Sequence, residues 1–466
     1  MKDKGRYVIL IDFGSTYTKV AVADLQQKKL VLTDHFPSTV ATDARIGLQQ
    51  CFDAARSAIG EREFEAALKL SSSSAAGGLR MAVVGLSKTL SLAAGRNAAF
   101  GAGAKILKTC NGKLKEEDLQ ELNELPVEII LFCGGYENGN TTVLLHNATA
   151  LAQSGLRVPI IYAGNSAVAQ EVRRLFIINH KEHYIVRNIT PNVGTVDKEQ
   201  VEEIIRHVFL KRIINMKGLD QVSSMLDRMV MPTPAAVLKG GELLSLGTGR
   251  HQGLGDLMII DVGGATTDIH SYARQVPYEG AKIIGAAEPY AKRTVEGDLG
   301  LRESSNSLAA EIGLENICSN AGASGEEVKR IIDRWSTQKS GLAQNRLELA
   351  IEQVLAQGAV HISSRRHAGW IEHTVSPGLK TIQHGKNLSR VQTIIGTGGP
   401  LVFAKNPAGI LSRALRHHSR ERDRLLPEKA TFYLDQDYVF FAGGLLREVD
   451  EEAAFLLMKN SLKEVS

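Results

Sequence analysis

Asp12-Phe13-Gly14-Ser15-Thr16-Tyr17-Thr18-Lys19 closes an apolar strand, Tyr7-Val8-Ile9-Leu10-Ile11, near the start of the chain. Asp261-Val262-Gly263-Gly264-Ala265-Thr266-Thr267-Asp268 closes a second, Leu257-Met258-Ile259-Ile260, past its middle. Each is a glycine- and hydroxyl-rich turn led by an aspartate. Glycines let backbone approach phosphate oxygens, and the N–H groups of a tight turn form an anion-binding concavity. Serine and threonine hydroxyls add donors. Two such aspartates can share Mg²⁺, which takes few carboxylates, several waters and the oxygens of a substrate's own phosphates.

After each turn the chain reads as a second strand, Thr18-Lys19-Val20-Ala21-Val22 and Thr267-Asp268-Ile269-His270-Ser271. Each turn is therefore expected at the tip of a hairpin. A Walker A loop would open a helix and read G-x-x-x-x-G-K-[ST], and no such string occurs. A Rossmann G-x-G-x-x-G after a strand is missing too. Either turn alone is as well explained as an ordinary hairpin tip; the pair points to a nucleotide. Three more strand–glycine junctions follow the same logic. Thr393-Ile394-Ile395-Gly396-Thr397-Gly398-Gly399 offers backbone without Cβ atoms to a purine and its ribose. Tyr438–Leu445 carries Gly443-Gly444 before a helical pattern, and Val158–Gln170 carries Gly164 before small residues. Both suit helices that cross closely, and Gly443 and Gly444 are expected hinge residues.

This order resembles the actin, sugar kinase and heat-shock chaperone superfamily of ATPases. The resemblance implies an α/β fold of two actin-like, RNase H-like lobes with helical inserts and an interlobe cleft that holds ATP and Mg. On that pattern Asp12, Gly14, Ser15 and Thr16 form the first phosphate site, and Asp261, Gly263, Gly264 and Thr266 the second. Gly396, Gly398 and Gly399 lie on the adenosine side. Asp12 and Asp261 are the catalytic and metal-holding carboxylates. Ala265 stands where several relatives carry glycine. Lys19 either screens charge there or points to solvent.

Longer strings narrow the resemblance. Val230–Leu238, Lys292–Gly300, Arg366-His367-Ala368-Gly369, Ser73–Met81 and Cys133-Gly134-Gly135 are similar to the MutL-type accessory proteins of adenosylcobalamin-dependent glutamate mutase. These are unrelated to the mismatch-repair proteins of the same name. The resemblance implies an ATP-binding reactivating factor, a weak Mg-dependent ATPase, whose partners are the mutase subunits. The alternatives are a small-molecule kinase of the superfamily and a nucleotide-regulated assembly protein.

Composition restricts the rest. In 466 residues, 55 basic and 51 acidic side chains nearly balance at a net charge of +4, and aromatics are only 5%. Neither favours a dedicated nucleic-acid binder. Cys51, Cys110, Cys133 and Cys318 form no C-x-x-C and no closely spaced iron–sulfur set. Scattered thiols, no secretory signal and no apolar stretch long enough to span a bilayer imply a reduced, cytoplasmic protein without a membrane partner.

The length allows two to four domains. The expected division is a first lobe over 1–170 plus 442–466 with a small α/β insert near 41–120. A helical connecting region over 171–255 follows, then a second lobe over 256–441 with a helical insert near 303–360. The basic run Arg413–Arg424 reads as a solvated face or a docking patch for an acidic partner. His361, His367 and His373 do not share a helix face and suit hydrogen bonding better than metal. Lys292, Arg293, Glu296 and Asp298 either form interlobe ion pairs or line the cleft.

Overall fold

The computed structural model describes residues 5–14, 17–40, 42–74, 79–214, 225–337, 343–374, 381–417 and 421–466. The first lobe is a five-stranded sheet of β1 (Tyr7–Phe13), β2 (Tyr17–Asp24), β3 (Lys29–Pro37), β4 (Leu68–Ser73) and, far along the chain, β10 (Arg228–Pro232). Its order is β3-β2-β1-β4-β10: an antiparallel meander, then two strands parallel to β1. The second lobe repeats this plan with β11 (Leu257–Val262), β12 (Thr267–Tyr272), β14 (Ala291–Glu296), β17 (Thr393–Thr397) and β18 (Thr431–Asp435) in the order β14-β12-β11-β17-β18. Both sheets thus have the strand order of an RNase H-like lobe.

The first strand of each lobe is apolar on both faces because both faces are covered. In β1, Ile9, Ile11 and Phe13 pack with the helix Ala44–Ile59, while Val8 and Leu10 face the other lobe. In β11, Met258, Ile260 and Val262 face the core of the second lobe, and Leu257 and Ile259 face the first. Between the sheets lie the helices Thr233–Leu246 and Phe440–Leu446, here the first and second connecting helices, backed by Glu451–Ser461. They cross at glycines. A Cβ on Gly444 would sit 1.9 Å from the Ala236 carbonyl oxygen, and one on Gly240 3.0 Å from that of Phe440.

The close helix crossing expected at both Tyr438–Leu445 and Val158–Gln170 occurs at the first and not at the second. Ile160–Gly164 is β8 of a third sheet. That sheet holds β5 (Arg80–Gly85), β6 (Lys105–Asn111), β7 (Ile129–Gly134), β8 and β9 (His183–Ile185), all parallel, in the order β6-β5-β7-β8-β9. Helices Ser91–Gly101 and Glu199–Ile214 bury one face, and Glu116–Glu124, Thr142–Gln153 and Ala169–Ile178 the other. The inserted α/β unit is therefore a doubly wound sheet reaching from β5 to β9, well beyond the 41–120 expected. The stretch 171–255 is not purely helical, since it supplies β10. The tail also departs from expectation: β19 (Leu462–Val465) pairs with β18 of the second lobe.

Between β14 and β15 (Trp370–His373) run the helices Ser305–Ile312, Leu314–Ala321, Gly325–Thr337 and Arg346–His367, closed around a fully buried Trp335. A small sheet joins β13 (Lys282–Ile284), β16 (Thr381–His384) and β15. Among the described residues no helix is long and apolar enough to cross a membrane.

Candidate functional site

Both aspartate-led turns close with the same backbone bond. The Gly14 N–H donates to the Tyr17 carbonyl at 3.0 Å, and the Gly263 N–H to that of Thr266 at 2.9 Å. A Cβ on Gly14 would lie 2.5 Å from the Tyr17 oxygen, so only glycine fits. Ser15 and Thr16, the expected phosphate donors of the first turn, lie outside the described residues.

The carbonyls of the second turn face inward. Gly263 O accepts from the Leu301 N–H at 3.0 Å, and Gly264 O from Arg302 and Glu303 at 2.8 and 2.9 Å. Gly300 makes room for this, because its Cβ would fall 2.3 Å from the Ala265 carbonyl carbon. Among the described residues the N–H groups of Gly264, Ala265 and Thr266 donate to no protein group. A turn whose carbonyls are tied back while its amides are free is an anion cradle.

Hairpin closure also fixes what stands beside each aspartate. In the β1–β2 ladder Asp12 is opposite Lys19, and in β11–β12 Asp261 is opposite Asp268. Asp12 is buried. Its Oδ1 accepts from Ser72 Oγ on β4 at 3.1 Å and from Thr233 Oγ1, the first residue of the first connecting helix. Its Oδ2 lies 3.7 Å from Lys19 Nζ. Lys19 turns into the cleft, its ammonium 5.4 Å above the Tyr438 ring and 6.0 Å from that of Phe441.

Asp261 is held differently. Burial, then the neighbouring Asp268 carboxylate, pushes its pKa up to about 6; Asp435 acts in the same direction, while Lys19 and Arg293 oppose it. Lys19 therefore acts on both aspartates at once, on Asp12 by contact and on Asp261 through the field. Gly398, at φ +93°, brings its backbone against this carboxylate: a Cβ there would sit 2.8 Å from Asp261 Oδ1. Asp268 Oδ2 is 3.2 Å from Arg293 Nη2, and Asp268 Oδ1 is buried without a partner. Asp435, raised by burial, accepts from Ser461 Oγ at 2.7 Å, the Val439 N–H at 3.0 Å and Thr397 Oγ1 at 3.2 Å.

The glycines of the third junction do not share one role. Gly398 and Gly399 stand beside Asp261 and Tyr438, whereas the missing side chain of Gly396 points at Leu411 and Leu434 in the core. Glu296 and Asp298 both pair with Arg366 inside the second lobe, and Arg293 also reaches the Phe100 carbonyl of the inserted unit at 3.1 Å. His367 is buried between Ser271 Oγ and Thr294 Oγ1, each at 2.8 Å. Sequence reasoning missed Ser72, Thr233, Asp268, Asp435 and Tyr438. Of these, Asp268 was readable from the hairpin register.

The residue set fits a divalent cation that keeps most of its waters. Asp261 and Asp268 are adjacent carboxylates, one oxygen of which is orphaned. No group of three His, Cys, Asp or Glu side chains suited to a metal occurs among the described residues. Mg²⁺, bound by one or two carboxylates plus phosphate oxygens, needs none. Cavities near Tyr290 and near Arg334 contain none of these residues, and the chemistry of the cleft outweighs their size as a guide to the site.

Two lobes of one strand order, each presenting an aspartate-led hairpin and joined through crossing helices, define the two-lobed actin-like ATPase fold. The chain belongs to the MutL family associated with glutamate mutase, since the family model "MutL protein" matches residues 8–462. It is 36% identical over 459 residues to "Protein MutL" of Clostridium tetanomorphum, covering 98% of this chain and 99% of that protein. Among solved structures it is similar to a xylulose kinase from Bifidobacterium adolescentis (13% identity, 99% and 96% of the two chains, TM-score 0.31). It is also similar to a carbohydrate kinase from Novosphingobium aromaticivorans (12%, 97% and 92%, TM-score 0.32). A reductive activator for a corrinoid, iron–sulfur protein matches at 12% identity and TM-score 0.24 over 99% of this chain and 63% of that one. The fold assignment rests on strand order, not on these scores.

Proposed function

We propose that this protein binds Mg-ATP between its lobes and acts in the cytoplasm as a reactivating factor for adenosylcobalamin-dependent glutamate mutase or a related mutase. The observation that carries the nucleotide part is Lys19, which pairs with Asp12 and also acts on Asp261 across the cleft. Family membership supports the client part.

In this reading the free amides of Gly264, Ala265 and Thr266 donate to phosphate oxygens, with Gly263 and Gly14 shaping the two turns through their own backbone bonds, and Ser15 and Thr16 are the donors expected of the first turn. Lys19 supplies positive charge between them. Asp12, pinned through Oδ1 by Ser72 and Thr233, orients the attacking water. Asp261 with Asp268 would hold Mg²⁺, in place of the expected pair Asp12 and Asp261 because Asp12 is taken up by Lys19, Ser72 and Thr233, and the ion would supply charge neutralisation at the transferring phosphoryl group. Gly398 and Gly399 make room for the adenosine. Lobe closure turns on the glycine crossing of the connecting helices, so nucleotide state alters the surface offered to the mutase.

The test is reactivation of mutase that holds damaged cobalamin. Wild-type protein with ATP and Mg²⁺ should restore activity, and the D12N and D261N proteins should not. Equal recovery without the protein would remove the client role. Normal ATP turnover by both variants would remove the site.

A further inference from the structure

A cavity of about 430 Å³ opens at the C-terminal end of the first connecting helix. It lies at the Asp256 end of β11, roughly 17 Å of strand rise from Asp261. Its walls include Ser245, Gln252, Gly255, Asp256, Arg274 and Tyr290. The Arg274 guanidinium and the Asp256 carboxylate both line it, and among the described residues neither makes an ion pair or hydrogen bond. Burial raises the Asp256 carboxyl, and Lys386 first and Arg274 second oppose that rise through the field. Opposite charges thus border one space without meeting.

The rest of the wall is preformed. The Leu254 and Gly255 N–H groups donate to the Leu244 and Ser245 carbonyls, each at 3.0 Å, which fixes the loop after the helix. Ser245 Oγ donates to Gly255 O at 2.6 Å and lies 2.7 Å from the Tyr290 hydroxyl. Serine has a single hydroxyl hydrogen, already committed, so Tyr290 is the donor of that second bond. The lone pairs of the Tyr290 oxygen remain open to a donor from the cavity.

We infer that this cavity binds a free α-amino acid, its carboxylate on Arg274 and its ammonium between Asp256 and the Tyr290 oxygen. An anion alone would meet Asp256, and an amine alone would meet Arg274; a zwitterion satisfies both. The volume suits a ligand of this size. Seated there, the ligand contacts Tyr290 of the second lobe, whose hydroxyl already bonds Ser245 of the connecting helix. The binding claim is independent of the nucleotide reading.

The experiment is a thermal-shift screen of the full chain against the standard L-amino acids, followed by calorimetry on the best binder. At least one should raise the melting temperature saturably. Its deaminated and decarboxylated counterparts should each bind about tenfold or more weaker, the usual loss of a charge-assisted contact. R274Q and D256N should weaken the parent ligand by a similar factor. No binding by any amino acid overturns the inference, and so does equal binding of the truncated ligands. Those comparisons use the unaltered protein, so the test stands even if a variant fails to fold.

Discussion

Replacing Asp261 by asparagine should stabilise the protein while abolishing its chemistry. The side chain keeps its shape and loses a charge that burial and Asp268 both oppose. The distance from the ordinary value of 3.8 to about 6 corresponds to about 3 kcal/mol against the ionised form. Asp261 keeps an exposed edge on the cleft, and screening there reduces the gain to about 1–2 kcal/mol at neutral pH. The sign follows from linkage. The folded carboxyl titrates near 6 and the unfolded one near 3.8, so the native state binds the extra proton between those values. The cost of the charge is full above about pH 6 and gone below about pH 4, and the advantage of D261N must fade over that window. Thermal unfolding of nucleotide-free wild type and D261N at stepped pH reads this directly, with a gain on the order of 2 °C at neutral pH. A neutral-pH loss of stability in D261N, or a gain that persists unchanged to pH 4, would refute the charge argument.

K19M should slow ATP turnover by roughly ten- to a hundredfold, through loss of one charge-assisted contact in the transition state. It should also move the acid limb of the pH–rate profile upward, because the cation that lowers Asp261 is gone. T233V leaves Asp12 Oδ1 short of a donor and should cost about 1–2 kcal/mol in thermal stability, with weaker nucleotide binding by calorimetry. G444A drives a methyl into the Ala236 carbonyl, at 1.9 Å, and should cost about 3 kcal/mol or more, read as a lower melting temperature with a far-ultraviolet spectrum like wild type.

Much of the site was legible because its signals are local. An apolar strand, an aspartate, a glycine and hydroxyls lie within eight residues in both halves of the chain. Register was legible as well: once Gly14 bonds Tyr17, Lys19 must face Asp12, and once Gly263 bonds Thr266, Asp268 must face Asp261. The extent of the inserted unit was hidden because its strands are parallel. Parallel pairing joins segments separated by whole helices and leaves no local mark. The start of the first connecting helix, inside a stretch expected to be helical, was hidden for a different reason. Pro232 and Pro234 read as breakers, although proline is well suited to a helix's first turn. Gly240 and Gly241 lower helix propensity, and only the crossing with Phe440–Leu446 explains them. At Val158–Gln170 the signal was the same strand, glycine and small residues, but there the helix covers a sheet.

The two hairpins share a fold and differ in charge, and that difference bears on division of labour. On the first, the residue opposite the aspartate is a lysine, and Asp12 is further held by Ser72 and Thr233. That carboxylate is already neutralised and fixed in direction, which suits orientation of a small neutral molecule such as water. On the second, the residue opposite is another aspartate, and Arg293 reaches only one of its oxygens. That hairpin carries surplus negative charge in a partly dry setting, which is costly unless a cation arrives with the ligand. Duplicated lobes with unequal charge therefore favour a cation held on the second hairpin and a nucleophile oriented on the first. Swapping the unequal partners, K19D with D268K, should keep both hairpins closed, because the Gly14 and Gly263 bonds are backbone bonds, and yet lose Mg-dependent nucleotide binding; retained binding would show that the asymmetry has no part in it.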